Sequence, residues 1–277
     1  MPDTHLVNEC ACSKRGIDSF RSAGTIEHSM NKSANLAELR HSLARYGLPH
    51  DRPAVPLGSA DVDAVLGGGL RPGALHEVFV RGWNAGGFAV LLAMLAAGTK
   101  PLFWVRPDYE AMEYGALSPQ GLLELGGDPR QLVMVKARGA TDALSAASDI
   151  LACPHVGALL LEMEGQPKCL DLVASRRLVL AAEESGVTAV MLRCGAVPEP
   201  SAALTRWQVA SAPSSPADDD WGNPVFDAQL VRHRQGGLGH FLLRWNLEHG
   251  CFDPANPGAV AAAPTDRQTY PQGRRAV

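Results

Sequence analysis

The chain has 277 residues, 46% of them apolar and 19% charged, a balance that builds one sizeable buried core and excludes a disordered protein. A formal net charge of −4 supplies no global basic field, so nucleic acid or an anionic membrane would have to be met by a local patch. The longest apolar run, Phe88 to Ala97, is half of what a membrane span needs.

Asp3, His5, Asn8 and Glu9 precede any apolar stretch, which does not read as a secretory signal. The six cysteines, at 10, 12, 153, 169, 194 and 251, form no C-x-x-C or C-x-x-H pair, so no metal site is expected. Sparse, unpatterned cysteine reads as a reduced, cytoplasmic chain.

Residues 1–33 are polar and aperiodic and read as a disordered leader, with Met30 as an alternative start. Over 34–48, Leu36, Leu39 and Leu43 fall on one helical stripe, which predicts a short amphipathic helix that either docks on the core or serves a partner. A Pro-rich connector, Pro49 to Pro56, leads into the core domain, read as 55–252. There the pattern alternates: strand Leu75 to Val80, helix Phe88 to Ala97, strand Pro101 to Val105, and a helix ending at Gly121 to Leu125. It continues with strand Leu132 to Val135, helix Ala140 to Ala152, strand Val156 to Leu161, helix Leu170 to Ser185 and strand Val187 to Leu192. Strands separated by helices of this length predict an α/β domain with a mainly parallel sheet flanked by helices. Past Pro198, Arg206 to Ala210, Asp227 to Arg234 and Gly239 to Trp245 alternate as half-buried antiparallel strands do. Residues 253–277, rich in Pro, Ala, Arg and Gln, read as a flexible tail.

The segment Arg81-Gly82-Trp83-Asn84-Ala85-Gly86-Gly87-Phe88-Ala89 follows a predicted strand and opens a predicted helix. That is the layout of a phosphate-binding loop, G-x-x-x-x-G-K-[ST], whose amides cradle phosphates while Lys and a hydroxyl reach the outer phosphates and magnesium. Gly82, Gly86 and Gly87 are the candidate cofactor-binding residues, but Phe88 and Ala89 stand where Lys and Ser/Thr belong. The backbone shape can survive while both chemical parts are lost. Read alone, the segment is also an ordinary Gly-rich strand-to-helix turn. The apolar strand 156–161 ends in Glu162, where such folds hold a metal-binding acid, and Glu164 follows. With no hydroxyl at Ala89 to share an ion, Glu162 reads as the first solvated residue past the sheet. Asp108, after Pro107, reads as a surface residue.

Several segments in one order carry a resemblance: Pro56 to Leu70 with its Gly67-Gly68-Gly69 run, the loop above, Leu125 to Leu132, Ala203 to Val209 and Val231 to Gly237. Over about residues 36–252 the chain resembles the RecA-like fold, and more closely its degenerate bacterial ImuA branch, also labelled SulA-like. The resemblance implies a RecA-like phosphate-loop core with antiparallel strands added at its C-terminal end. It implies an accessory role in SOS mutagenesis, without catalysis and with no catalytic residue. The implied partners are ImuB, RecA and an alternative C-family DNA polymerase, with DNA reached through them and no membrane. It implies no required cofactor, with residual ATP binding by the backbone left open. Asp108 falls where RecA carries the carboxylate that orients the attacking water. Arg232 and Arg234 fall where RecA places lysines that reach a neighbour's nucleotide, which makes them candidates for an interface in trans. On the residues alone they read equally as solvated arginines of an edge strand. Two other readings stand beside this one: a weak DNA-dependent ATPase using Glu162 and Asp108, and a SulA-like division inhibitor.

Overall fold

A computed structural model describes residues 52–109, 112, 115–214 and 222–255. All of them belong to the unit Gly47–Val277. The leader read at 1–33, the helix read at 34–48 with Leu36, Leu39 and Leu43, and residues 256–277 of the tail lie outside the described residues.

The described chain begins with a bridge between Val55 and Leu70, enclosing helix α1 (Ala60–Leu66). Asp63 folds back to accept hydrogen bonds from the amides of Leu57 (2.7 Å) and Gly58 (3.1 Å), fixing the entry to this helix. Gly69 closes the bridge with φ +129°; a Cβ there would stand 2.2 Å from the Val55 carbonyl oxygen, so only glycine fits.

Strand β1 (Leu75–Val80) then enters the centre of the sheet, all six residues buried. A 3-10 turn (Trp83–Ala85) leads to α2 (Gly87–Ala97). Seven of its eleven residues are buried, as expected of a helix apolar on every side. Next come β2 (Leu102–Pro107), α3 (Pro119–Glu124), β3 (Leu132–Ala137), α4 (Ala140–Leu151) and β4 (Ala158–Glu164). Helix α5 (Leu172–Ser185) is capped by Asp171, whose side chain accepts from the Ala174 amide, and it stops at left-handed Gly186. It precedes β5 (Thr188–Cys194), buried along its whole length. Four strands follow: β6 (Thr205–Ala212), β7 (Val225–His233), β8 (Gly239–Asn246) and β9 (Cys251–Pro254).

All nine form one sheet in the order β3-β2-β4-β5-β1-β6-β7-β8-β9. Pairings from β3 through β6 are parallel, and those from β6 to β9 antiparallel. The alternation of β6 reads as antiparallel, yet this strand runs parallel to β1 and antiparallel only to β7, because alternation reports burial of faces and carries no direction. Strand β9 also extends the sheet into residues read as tail. Four residues are too few to show a period, but Phe252 is fully buried. One face of the sheet packs α1 and α2 together with Trp207, Phe226 and Trp245; the other packs α4 and α5.

Candidate functional site

The loop after β1 is wound tightly rather than held open. The Ala85 amide points to the Gly82 carbonyl (3.5 Å), and the amides of Ala89 (3.0 Å) and Val90 (3.4 Å) donate to the Gly86 carbonyl. Gly86 is already right-handed helical, at φ −60° and ψ −26°, and Gly82, Gly86 and Gly87 are absent from the left-handed region. A Cβ on Gly82 or Gly87 would make only ordinary contacts, at 3.5 and 3.7 Å. Phe88 is fully buried, its ring 5.7 Å from Trp207, 5.5 Å from Phe226 and 5.3 Å from Phe252. Ala89 is fully buried as well. The position that would carry a phosphate-seeking lysine therefore carries the ring that joins α2 to β6, β7 and β9.

Beside the loop, at the C-terminal ends of β2, β4 and β5, lies a cleft of about 260 Å³ whose walls include Gly86, Gly87, Trp104, Arg106, Ser118 and Glu162. Such strand ends are where open α/β sheets bind ligands. Glu162 is not the solvated end of a strand: β4 runs on to Glu164, and Glu162 is 2% exposed. The reason is Arg106 on neighbouring β2, where Val105 pairs with Leu161. The Arg106 guanidinium lies 2.7 Å from the Glu162 carboxylate and also donates to the Gly115 carbonyl (2.7 Å). The Trp104 indole N–H donates to the same carboxylate at 3.4 Å. Nearby, burial and the charges of Glu164 and Glu162 push the Cys194 thiol up to about 11, so it stays protonated at neutral pH. Asp108, half-buried, lies just past β2. Among the described residues no group of three or more His, Cys, Asp or Glu converges as metal ligands do.

A second polar cluster occupies the opposite face, around Glu77 of β1. Its carboxylate accepts from Arg206 (3.0 Å) and from the Ser201 hydroxyl (2.8 Å), and Arg206 also reaches Ser201 Oγ (2.8 Å) and the Glu199 carbonyl (2.5 Å). The guanidinium carbons of Arg193 and Arg206 lie 5.3 and 5.5 Å from the centre of the Phe79 ring, a cation–π pair of contacts. Arg193 donates to the Gly165 carbonyl (2.9 Å), and burial lowers its pKa. Arg232 and Arg234 reach into this cluster, donating to the Ser201 carbonyl at 3.2 and 3.4 Å. Simple alternation from Leu230 would point Arg232 into the aromatic core. A bulge at Val231 turns it instead, because Arg206 pairs with Arg232 while Trp207 pairs with Leu230. The pairing of β7 with β8 stops at Leu230, Arg232 pairs with Arg206 of β6, and Arg234 follows the end of β7 at His233.

The sequence reading did not single out Arg106, Glu77, Arg193, Arg206 or Ser201 as site residues. The available signal was a charged side chain inside an otherwise apolar strand, which is costly to bury without a partner. The partner is what one strand read alone cannot supply.

Two comparisons with known proteins bear on this geometry. The chain is 33% identical over 208 residues to Protein ImuA of Caulobacter vibrioides, in strains NA1000 and ATCC 19089, a match spanning 69% of this chain and 83% of that protein. A crystal structure of the RadB recombinase superposes with a TM-score of 0.52 at 14% identity, covering 73% of this chain and all of that one, which establishes a RecA-like fold. No protein-family model matches the chain.

Proposed function

The chain belongs to the ImuA family, and from that premise we propose that it is a non-catalytic RecA-like adaptor of DNA-damage tolerance. In this reading it engages ImuB and RecA within an SOS-induced translesion complex that includes an alternative C-family polymerase, and meets DNA through those partners. The observation that carries the non-catalytic part is Phe88. A residue that would contact phosphates has become the centre of a buried aromatic cluster, and Ala89 brings no hydroxyl. With neither a lysine nor a hydroxyl to reach them, the loop fits a nucleotide's outer phosphates poorly.

The ATPase alternative asks Glu162 to hold a cation or polarise a water. Its pairing with Arg106 speaks against either role. No helix among the described residues is long and apolar enough to cross a membrane.

Arg232 and Arg234 are the proposed contact with a neighbouring RecA-like subunit. Arg234 is exposed, and its guanidinium could turn from Ser201 toward a neighbour at small cost. Calorimetric titration with magnesium and ATP, with and without single-stranded DNA, tests the non-catalytic reading. No heat up to millimolar nucleotide is expected. DNA-stimulated hydrolysis would overturn it, and micromolar binding without hydrolysis would make the adaptor a nucleotide-gated switch.

A further inference from the structure

A magnesium or manganese ion binds through hard oxygen ligands, carboxylates first. Among the described residues lining the strand-end cleft, that ligand is Glu162, which sits beside the loop of Gly86 and Gly87. Its side chain is 3% exposed, so an uncompensated negative charge there would be expensive. The structure supplies the compensation from within. The Arg106 side chain, 9% exposed, places its guanidinium 2.7 Å from the carboxylate. An ion drawn to the same carboxylate would have to sit against that guanidinium, charge against like charge, with no second acid among the described residues lining the cleft to offset the repulsion.

Arg106 also has a second task. Its Nη1 continues across the cleft to the Gly115 carbonyl at 2.7 Å. Three residues on, Ser118 caps α3 by accepting from the Gly121 amide at 3.1 Å. One planar group thus neutralises the acid on β4 and ties down the start of the segment that forms the far wall. A guanidinium can do both because its donors fan out in a fixed plane.

We infer that Arg106 is a built-in cation: its guanidinium takes the position a divalent ion would need against Glu162 and holds residues 115–118 across the cleft, so that the folded state requires neither metal nor nucleotide. This deepens the non-catalytic reading above. It adds the claim that the cation has been replaced by a side chain, where the loop's lost lysine and hydroxyl alone would only predict weaker binding.

Thermal unfolding of the full chain in EDTA and in millimolar manganese chloride tests it. For the wild type the midpoint should move by less than about 1 °C between the two. Arg106→Ala removes the guanidinium beside the buried Glu162 carboxylate, leaving its charge less compensated, so the midpoint in EDTA should fall by roughly 10 °C. Manganese should then return at least about 3 °C of that loss. The double variant Arg106→Gln with Glu162→Gln, which removes both charges, should recover most of the fall and ignore manganese. A wild type stabilised by manganese overturns the inference. So does an Arg106→Ala variant that responds no more than the wild type, or a double variant that responds as strongly as the single one.

Should Arg106→Ala fail to fold, hydrogen exchange at residues 115–118 of the wild type decides instead. Protection unchanged by manganese or magnesium–ATP supports the built-in cation, and protection that rises on adding either overturns it. Failure here is separable from failure of the adaptor reading. A metal-responsive wild type that still binds ImuB and RecA removes only the inference, and a metal-silent protein that binds neither removes only the adaptor.

Discussion

Two buried ion pairs lie on opposite faces of the same sheet, and they differ in what surrounds them. Arg106–Glu162 faces the side of α2 and ends in a cleft, where the Gly115 carbonyl and the Trp104 indole are among its further partners. Glu77–Arg206 faces the side of α4 and α5 and is embedded in the Ser201 hydroxyl, the Glu199 carbonyl, the Phe79 ring and the reach of Arg232. The first pair quiets a place where the fold would otherwise bind something. The second fastens a connection: residues 195–204, which join β5 to β6, are held at Val197 by Gln166, at Glu199 by Arg206, and at Ser201 by Arg206, Arg232 and Arg234. Similar chemistry thus fills a site in one region and immobilises a loop in the other.

The comparison breaks most sharply at Phe88. Phe88→Lys restores the lysine of a phosphate loop in name, but it buries an ammonium among Trp207, Phe226 and Phe252. A loss of more than about 4 kcal/mol in chemical denaturation is expected, with no gain in nucleotide binding. A folded, ATP-binding variant would show that the cradle had survived. Next in size is Glu77→Ala, which leaves Arg206 buried without its carboxylate and should cost about 3–5 kcal/mol. Glu77→Gln, which keeps an oxygen for Arg206 and Ser201, should cost less, and equal costs would mean that the charge, lost in both variants, accounts for the whole effect.

Acidity sharpens the contrast from the neighbouring position on β1. His76 is buried between the Thr205 hydroxyl (2.7 Å) and the Arg71 carbonyl (3.0 Å), and burial lowers its pKa from 6.5 to about 4. Between those values the unfolded chain takes up a proton that the folded chain refuses, so stability is full above about pH 6.5 and falls as pH drops toward 4. The loss amounts to about 3 kcal/mol. Urea midpoints of the wild type and His76→Gln across this window should differ in slope, and parallel curves would remove His76 as the source. The smallest effect on stability belongs to Arg232→Ala with Arg234→Ala, less than about 1 kcal/mol. The same pair should weaken binding to RecA in a pull-down, and unaltered binding would place the contact elsewhere.

Most of the parallel half of the fold was legible because its strands are short, mainly apolar runs that alternate with helices, and β1 and β5 are buried from end to end. Phe88 and Ala89 could be read as departures from a phosphate loop because that motif is local. What Phe88 does in place of lysine was not legible, since its partners come from β6, β7 and β9. Glu162 illustrates the same limit. A charge after an apolar run looks like an exit to water until Arg106, remote in sequence and adjacent in register, supplies its counter-ion. Arg232 adds a subtler case: one bulged residue, Val231, decides which face its side chain joins, and a period-two count has no term for it.

The aromatic cluster around Phe88 also bears on how the molecule is made. It is completed by Phe252, from the last described strand, and Trp245 meets that ring edge-to-face at 5.0 Å. A chain emerging from the ribosome can form the parallel strands early, but it exposes the apolar flank of α2 until nearly all of the sheet has been synthesised. Contacts so distant in sequence slow folding and prolong the interval in which a sticky surface is open to solvent. Truncations that remove β9 would therefore be expected to aggregate during synthesis, even if every residue of the cleft and of the arginine cluster were left in place.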